Sequence, residues 1–275
     1  MPELPEVESI AKCLRNGSAT NPSLIGMRIN SATLHWQRSL VTPSSDDFIS
    51  RIQGQEIDSI YRRGKFLAFQ LSRDTLIFHL RMSGDLVIQQ GEEIPTRHVR
   101  LTLELEKGYT LCFLDPRKFG RVWLVSQPDN IFAALGPEPL DENLTAEKFY
   151  ASLKAVKRQL KPLLMDQSFL AGLGNIYTDE ALHRAAIHPL MISNQLTQNQ
   201  AAALLDSIRE VLIEGIQRNG ASIDWVYRGG DFQNHFRVYH RVGEPCYRCG
   251  TPIERIRVGQ RSTHFCPNCQ NLRNK

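Results

Sequence analysis

The chain has 275 residues, 33 Lys and Arg against 29 Asp and Glu, with 41% apolar and 23% charged residues. This is the usage of a globular protein, not of a disordered, fibrous or membrane-embedded one. A chain this long buries a real core and allows two compact domains, or one with appendages, which excludes a disulfide-stapled miniprotein. Charge is uneven: residues 237–275 hold 8 Lys and Arg against 2 Asp and Glu, a formal +6, leaving −2 on the first 236 residues. A compact cationic module on a near-neutral body suits contact with phosphate backbones, although basic tails also serve as plain solvated ends. No run of 18 apolar residues occurs, so no membrane span is expected. The start MPELPEVESI lacks the cationic and apolar regions of a signal peptide, and a cytoplasmic protein is expected. Six cysteines in that compartment point to metal binding or buried thiols before disulfides.

Residues 5–15, PEVESIAKCLR, begin with a proline suited to a first helical turn. Glu6 and Glu8 lie where the helix dipole favours anions, and Val7, Ile10 and Leu14 share one face, which predicts an amphipathic helix. From Met27 to Ser126 short runs of period-two alternation follow at 65–72, 75–82, 85–89, 98–105, 109–115 and 121–126, with Glu106-Lys107-Gly108 as a hairpin turn. Strands joined by short turns predict an antiparallel sandwich or barrel. Prolines and glycines in SQPDNIFAALGPEPLDEN (126–143) break the pattern, and the domain boundary is placed there. Beyond it Thr145 caps TAEKFYASLKAVKRQ, and Lys161-Pro162 makes a turn. GLGNIYTDEALHRAA opens another helix, and TQNQAAALLDSIREVLIEGIQRNG closes at Gly220. Cys13 and Cys112, among apolar neighbours, are expected to be buried thiols.

Cys246 and Cys249 enclose two residues, Cys266 and Cys269 enclose two more, and sixteen residues separate the pairs. Each CxxC turns tightly enough to aim two thiolates at one tetrahedral ion, so the spacing predicts a zinc ribbon. Four thiolates close the coordination shell: one structural Zn2+ per chain, with no open position for activated water and on the order of 10 kcal/mol contributed to folding. Between the knuckles, IERIRV and RSTHF alternate as two strands around a Val258-Gly259-Gln260 turn. Arg261 then lies near the hairpin tip, up to ~20 Å from the metal. It either enters a nucleic-acid groove or is one of eight basic residues on a solvated face, and spacing favours neither.

Pro2 is small enough to permit removal of Met1, which leaves a secondary amine with a pKa near ~8 and a useful neutral fraction. Such an amine can attack a sugar's anomeric carbon or an aldehyde to give an iminium ion, with Glu3 as general acid. Many chains begin Met-Pro, so the pair taken alone reads first as an ordinary lead-in to a helix.

Taken together, PELPEVE (2–8), RRGKFL (62–67), HLRMSG (79–84), DPRKFG (115–120), LGPEPL (135–140), LKPLLMDQ (160–167), GLGNIYTDEALHRAAIHP (172–189), GEPCYRCG and THFCPNC resemble the formamidopyrimidine-DNA glycosylase and endonuclease VIII family, in order and over nearly the whole chain. Leu4 in PELPE is similar to the formamidopyrimidine branch. The resemblance implies an α+β multidomain protein: an N-terminal antiparallel β-sandwich with flanking helices (1–130), a helix-two-turns-helix domain (131–234) and a zinc finger (235–275). It implies a monomer acting on damaged double-stranded DNA, excising oxidised purines such as 8-oxoguanine and formamidopyrimidines, then cleaving the strand by β,δ-elimination. Residue by residue, Pro2 matches the Schiff-base nucleophile, Glu3 the proton donor, Lys65 the lysine linked to β-elimination and Arg261 the arginine linked to δ-elimination. Met82, Arg117 and Phe119 match the residues that fill the void left by an everted nucleotide, and His98, Lys161 and Asn175 match DNA-backbone contacts.

The chemistry suits these residue types. A stacked base must be flipped out at a cost of a few kcal/mol, which Met82 and Phe119 offset by wedging into the stack while Arg117 offers planar donors to the orphaned base. Read without the resemblance, Met82 and Phe119 suit strand cores and Arg117 a plain turn, but DPRKFG puts Arg117 and Phe119 in a surface turn, which favours the functional reading. Lys65 reads as part of a solvated basic patch at a strand start, and Gly172, Gly174 and Asn175 as a plain helix start. His79 and His98 have no partner spacing that suggests a second metal. Arg81 stands where the family usually has a small residue, Lys118 replaces a common arginine, and YRGGDFQNHF (227–236), where a lesion-covering loop falls, is shorter than in some members. Three rivals remain: an endonuclease VIII-like glycosylase for oxidised pyrimidines, a non-catalytic zinc-ribbon DNA-binding protein and, a distant third because it would need no zinc ribbon, a tautomerase using the terminal proline as base.

Overall fold

A computed structural model describes residues 1–18, 21–91, 97–222 and 229–272. The chain forms two compact units, one built on Met1–Ala133 and the other on Ala134–Ala221 with Asp231–Lys275.

The first unit opens with α1 (Leu4–Asn16), where Pro5 occupies the first turn and the Glu6 carboxylate accepts the Glu3 backbone N–H at 2.8 Å, as in a capping box. Its buried Val7, Ile10, Ala11 and Leu14 face the sheets. One antiparallel sheet has the order β1 (Ile29–Leu34), β7 (Val99–Leu105), β8 (Tyr109–Leu114), β6 (Asp85–Gln90). The other has the order β2 (Leu40–Thr42), β9 (Arg121–Val125), β5 (Thr75–His79), β4 (Phe66–Leu71), β3 (Ile57–Arg63). Only β2 departs from the antiparallel pattern among these pairings, lying parallel to β9. Phe69 and Phe78 meet edge-on at 5.6 Å within one sheet, and Phe78 meets Phe113 of the other at 5.5 Å, so aromatic rings join the two layers. The six alternating runs correspond to β4 through β9. The pattern did not single out β1, β2, β3 or α2 (Ser45–Ile52). In α2 only Phe48 and Ile52 are buried, too few to show a period, although Ser44 caps it by accepting the Asp47 N–H. A last single turn, α3 (Asp129–Phe132), sets Phe132 against Phe66 at 5.9 Å between ring centres. Cys112 is buried, which pushes its thiol up to about 11, whereas Cys13 is half-exposed and not the buried thiol expected.

The second unit contains α4 (Ala146–Lys154), capped by Thr145, and α5 (Leu160–Leu164). Lys161-Pro162 therefore belongs to a helix and not to the expected turn, because a proline in a first helical turn lacks only an N–H that would have had no partner. The helix α6 (Asn175–Arg184) is buried from Ile176 to His183, and α7 (Gln198–Gln217) carries a Thr197/Gln200 capping box and ends where the Gly220 N–H donates to Gly215 O at 2.7 Å. The hairpin of β10 (Glu254–Val258) and β11 (Arg261–Phe265) pairs Val258 with Arg261 across Gly259 and Gln260, both with positive φ. No helix among the described residues is long and apolar enough to cross a membrane.

Two adjacent buried acids on α6 organise this unit. Glu180 accepts the backbone N–H groups of Arg237, Val238 and Tyr239 at 2.9, 3.0 and 2.8 Å. Burial pushes its carboxyl upward, and the three donors oppose that. Asp179 accepts from Lys161 Nζ at 2.6 Å and from the His264 N–H at 2.9 Å. Replacing Glu180 by alanine strands three donors, so Glu180→Ala is expected to lose at least about 3 kcal/mol in urea unfolding.

Candidate nucleic-acid site and metal centre

In the first unit Pro2 and Glu3 are buried at the start of α1, while Met1 is 45% exposed. Glu8 of the same helix accepts from Arg62 Nε at 3.1 Å, and Arg62 donates to Gly64 O at 3.0 Å. The α1 N-terminal half is thereby tied to the turn that presents Lys65. Lys65 lies in the two-residue turn between β3 and β4, not at a strand start, and it is 5% exposed, not part of a solvated patch. Nearby, His79 receives the Arg81 N–H on Nδ1 at 3.1 Å, which puts the ring proton of the neutral imidazole on Nε2. Burial, with Arg81 and then Lys65, pushes His79 down to about 3.

Three loops converge on Asp115, which is 1% exposed. Its carboxylate accepts from Ser83 Oγ in a short hydrogen bond, from the Arg117 N–H at 3.2 Å and from the Gly120 N–H at 2.7 Å. Its backbone N–H donates to His98 O at 2.9 Å, and Arg100 Nε donates to its carbonyl at 2.8 Å. The loops bearing Met82, His98, Arg117 and Phe119 are so held at one node. A Cβ at Gly120 would collide with the Phe113 ring and one at Gly84 with Leu80 O, so the loops close down only on glycine. Each loop also carries a non-glycine residue with positive φ, Arg81, His98 and Lys118, at about 1 kcal/mol apiece. Arg117 lies over the Phe119 ring at 5.3 Å, and Phe119 is 50% exposed; both are surface groups of a turn, not core. In the sequence His79 shows only that it lacks a metal-ligand spacing, and nothing marks its burial or that of Asp115. Asp115 was visible only as an acid ahead of a Pro turn.

In the second unit Lys161 departs from the expected DNA-backbone contact. It is fully buried, and its ammonium donates to Asp179 and, at 2.9 Å, to Ser262 O. Pro162 beside it lies against Gly259, and the two residues brace the hairpin that ends in the exposed Arg261. Asn175 is the first residue of α6; its Nδ2 donates to Tyr239 Oη at 3.3 Å, and its buried Oδ1 has no hydrogen-bond partner. The segment expected to cover a lesion, 227–236, begins inside 223–228, outside the described residues. Phe232, within it, stacks on Tyr177 at 5.1 Å.

The Sγ atoms of Cys246, Cys249, Cys266 and Cys269 lie within 4.8 Å of one another, with separations of 3.9 Å for Cys246–Cys269, 3.5 Å for Cys249–Cys266 and 3.4 Å for Cys249–Cys269. A tetrahedron of thiolates about zinc has edges of ~3.8 Å. The donor set fits one Zn2+ and leaves it no open position.

Two outcomes follow for the first unit. Asp115→Asn turns an acceptor toward three donors into a partial donor, and a loss of about 2 kcal/mol in urea unfolding is expected. His79 stays neutral in the fold to about pH 3 but titrates at its ordinary value when unfolded. Its contribution is complete above pH 6.5 and declines as pH falls from there toward 3. Urea midpoints measured across that window should fall less steeply for His79→Phe.

Comparison with known proteins agrees with this layout. Family models match residues 1–122 (formamidopyrimidine-DNA glycosylase N-terminal domain), 135–226 (formamidopyrimidine-DNA glycosylase H2TH domain) and 243–272 (zinc finger found in FPG and IleRS). The formamidopyrimidine-DNA glycosylase of Protochlamydia amoebophila is 43% identical over 279 residues, covering 98% of this chain and 99% of that one. That of Chloroflexus aurantiacus is 45% identical over 278 residues, covering 98% of each. Among solved structures, MutM in complex with DNA containing carbocyclic 8-oxo-G matches at TM-score 0.90 with 37% identity, covering 98% of this chain and 100% of that one. The Lactococcus lactis enzyme non-covalently bound to DNA containing an AP site matches at 0.89 with 36% identity, covering 98% and 99%. With matches of this identity along its full length, the chain belongs to the formamidopyrimidine-DNA glycosylase family.

Proposed function

We propose that the protein is a bifunctional DNA glycosylase and abasic-site lyase of base excision repair that removes oxidised purines, 8-oxoguanine and formamidopyrimidines. The observation that carries this reading is the burial of Pro2, Glu3 and Lys65, three polar or nucleophilic groups that a purely DNA-coating protein has no reason to withdraw from solvent. The relatives' complexes with 8-oxo-G, AP-site and Fapy-dG DNA support the substrate class.

The exposed Met1 is removed, and the Pro2 amine attacks C1′ of the damaged nucleotide. The C1′–N bond breaks, the base leaves with a proton, and Glu3 protonates the ring oxygen so that the sugar opens to a Pro2 iminium ion. Loss of a C2′ proton then expels the 3′ phosphate, assisted by Lys65. Elimination of the 5′ phosphate follows, assisted by Arg261, and water releases the enzyme. Met82 and Phe119 fill the void of the everted nucleotide and Arg117 addresses the orphaned base, from loops that Asp115 fixes in advance. His98 contacts the backbone. Asn175 does so too, as the first residue of α6, where free backbone N–H groups also suit a phosphate. Lys161 serves the DNA indirectly, as the brace of the Arg261 hairpin.

In this reading the chain works as a monomer in three modules, 1–130, 131–234 and 235–275, the first catalytic and the others DNA-binding. A cytoplasmic location accords with a centre of four thiols, which requires reducing conditions. Borohydride added during reaction with an 8-oxoguanine duplex should reduce the iminium and trap a covalent protein–DNA adduct. Glu3→Gln should cut base release at least about 100-fold, the scale of a lost general acid. Strand-binding without an adduct, from protein confirmed to start at Pro2, would refute the mechanism.

A further inference from the structure

The zinc ligand Cys246 and the last turn of α6 meet inside the second unit. Cys246 is 3% exposed and His183 2%, and His183 Nε2 lies 3.4 Å from Cys246 Sγ. The same knuckle holds α6 a second way, because Arg248 donates to the carbonyls of His183 at 3.0 Å and Arg184 at 2.8 Å. The Arg248 backbone N–H also points at Cys246 Sγ, at 3.5 Å. Cys249, by contrast, is exposed. The centre thus has a solvent wall and a protein wall, and the protein wall is where a side chain reaches a sulfur.

Four thiolates about one Zn2+ carry a net charge of about −2. A sulfur sharing that charge out of reach of water is stabilised by N–H donors, as any buried anion is. Imidazole is a donor at Nε2 whenever its neutral form carries the proton there. Neither the fold nor the cleavage reaction calls for a polar ring at this buried position, and phenylalanine would fill the same volume.

We propose that His183 is a positioning residue of the metal centre, donating its Nε2–H to the Cys246 thiolate so that the tetrathiolate is stabilised, the sulfur's orientation fixed and the first knuckle docked on α6. No bond is made or broken by this contact. Its effect is on how long the metal stays and how firmly the hairpin bearing Arg261 is carried by α6.

Donors behind a metal ligand typically change affinity 10–100-fold when removed. Full-length zinc-loaded protein, wild type and two variants, is checked for native circular dichroism and then challenged with excess 4-(2-pyridylazo)resorcinol while zinc release is followed. His183→Phe should release zinc about 10-fold faster than wild type, whereas His183→Gln, which retains an N–H donor, should stay within about threefold. Equal rates in all three proteins overturn the proposal, and so does a His183→Gln rate as fast as His183→Phe, which would make the effect one of packing. A measurement on the unaltered side chain does not depend on either variant folding. With 113Cd in place of zinc, a scalar coupling should connect the His183 Nε2–H proton to the metal, and a ring protonated only at Nδ1 would overturn the assignment.

Discussion

A carboxylate taken out of water is tolerable only where N–H, hydroxyl or cationic donors fill its lone pairs, and in both units such a carboxylate decides where the functional loops lie. Asp115 accepts from Ser83, Arg117 and Gly120 and so collects the loops carrying Met82, Arg117 and Phe119, while its own N–H holds His98. On α6, Asp179 and Glu180 hold Lys161, the β11 backbone and residues 237–239. The groups that would face DNA are cationic, apolar or left-handed in backbone, and none of them would keep its place unaided. Prior fixation by buried acids removes the ordering entropy that binding would otherwise have to supply.

The basic module gains a more definite meaning from this arrangement. Its formal +6 over residues 237–275 includes arginines committed internally: Arg241 to Glu244 and two carbonyls, Arg248 to the end of α6. A zinc tetrathiolate subtracts about two further units. Among the described residues, what remains exposed is a small set, Arg237 and, on the hairpin, Arg255, Arg257 and Arg261. A surplus so limited suits a protein that must release and search DNA, since each phosphate contact steepens the dependence of binding on salt.

Much of the fold was legible because it rests on local periodicity. Alternation from Lys65 to Ser126 marks six strands, the cap at Thr145 and the run closed at Gly220 mark helices, and the doubled CxxC marks the metal centre. Elements shorter than their own period were not legible: α2 buries only two residues, and β2 has three residues and pairs parallel to a strand far along the chain. The motif DPRKFG showed that Arg117 and Phe119 belong to a turn. That its aspartate is a buried node joining three loops depends on partners up to 32 residues away, which no window of sequence displays.

Sequence by itself determined the chemistry available to this protein: a Pro2-Glu3 terminus, a turn rich in cationic and aromatic groups, and four thiols spaced for one zinc ion. These are properties of residue type and short spacing, and short spacing fixes geometry wherever a turn or knuckle is closed by its own backbone. Only the tertiary structure decided which charges are spent inside and which remain outside. Lys161 and Arg261 are both basic residues of the second unit, yet one is fully buried on Asp179 and the other exposed at a hairpin tip. Burial is a property of the assembled fold, because it depends on residues distant in the chain closing over a side chain and supplying its partner.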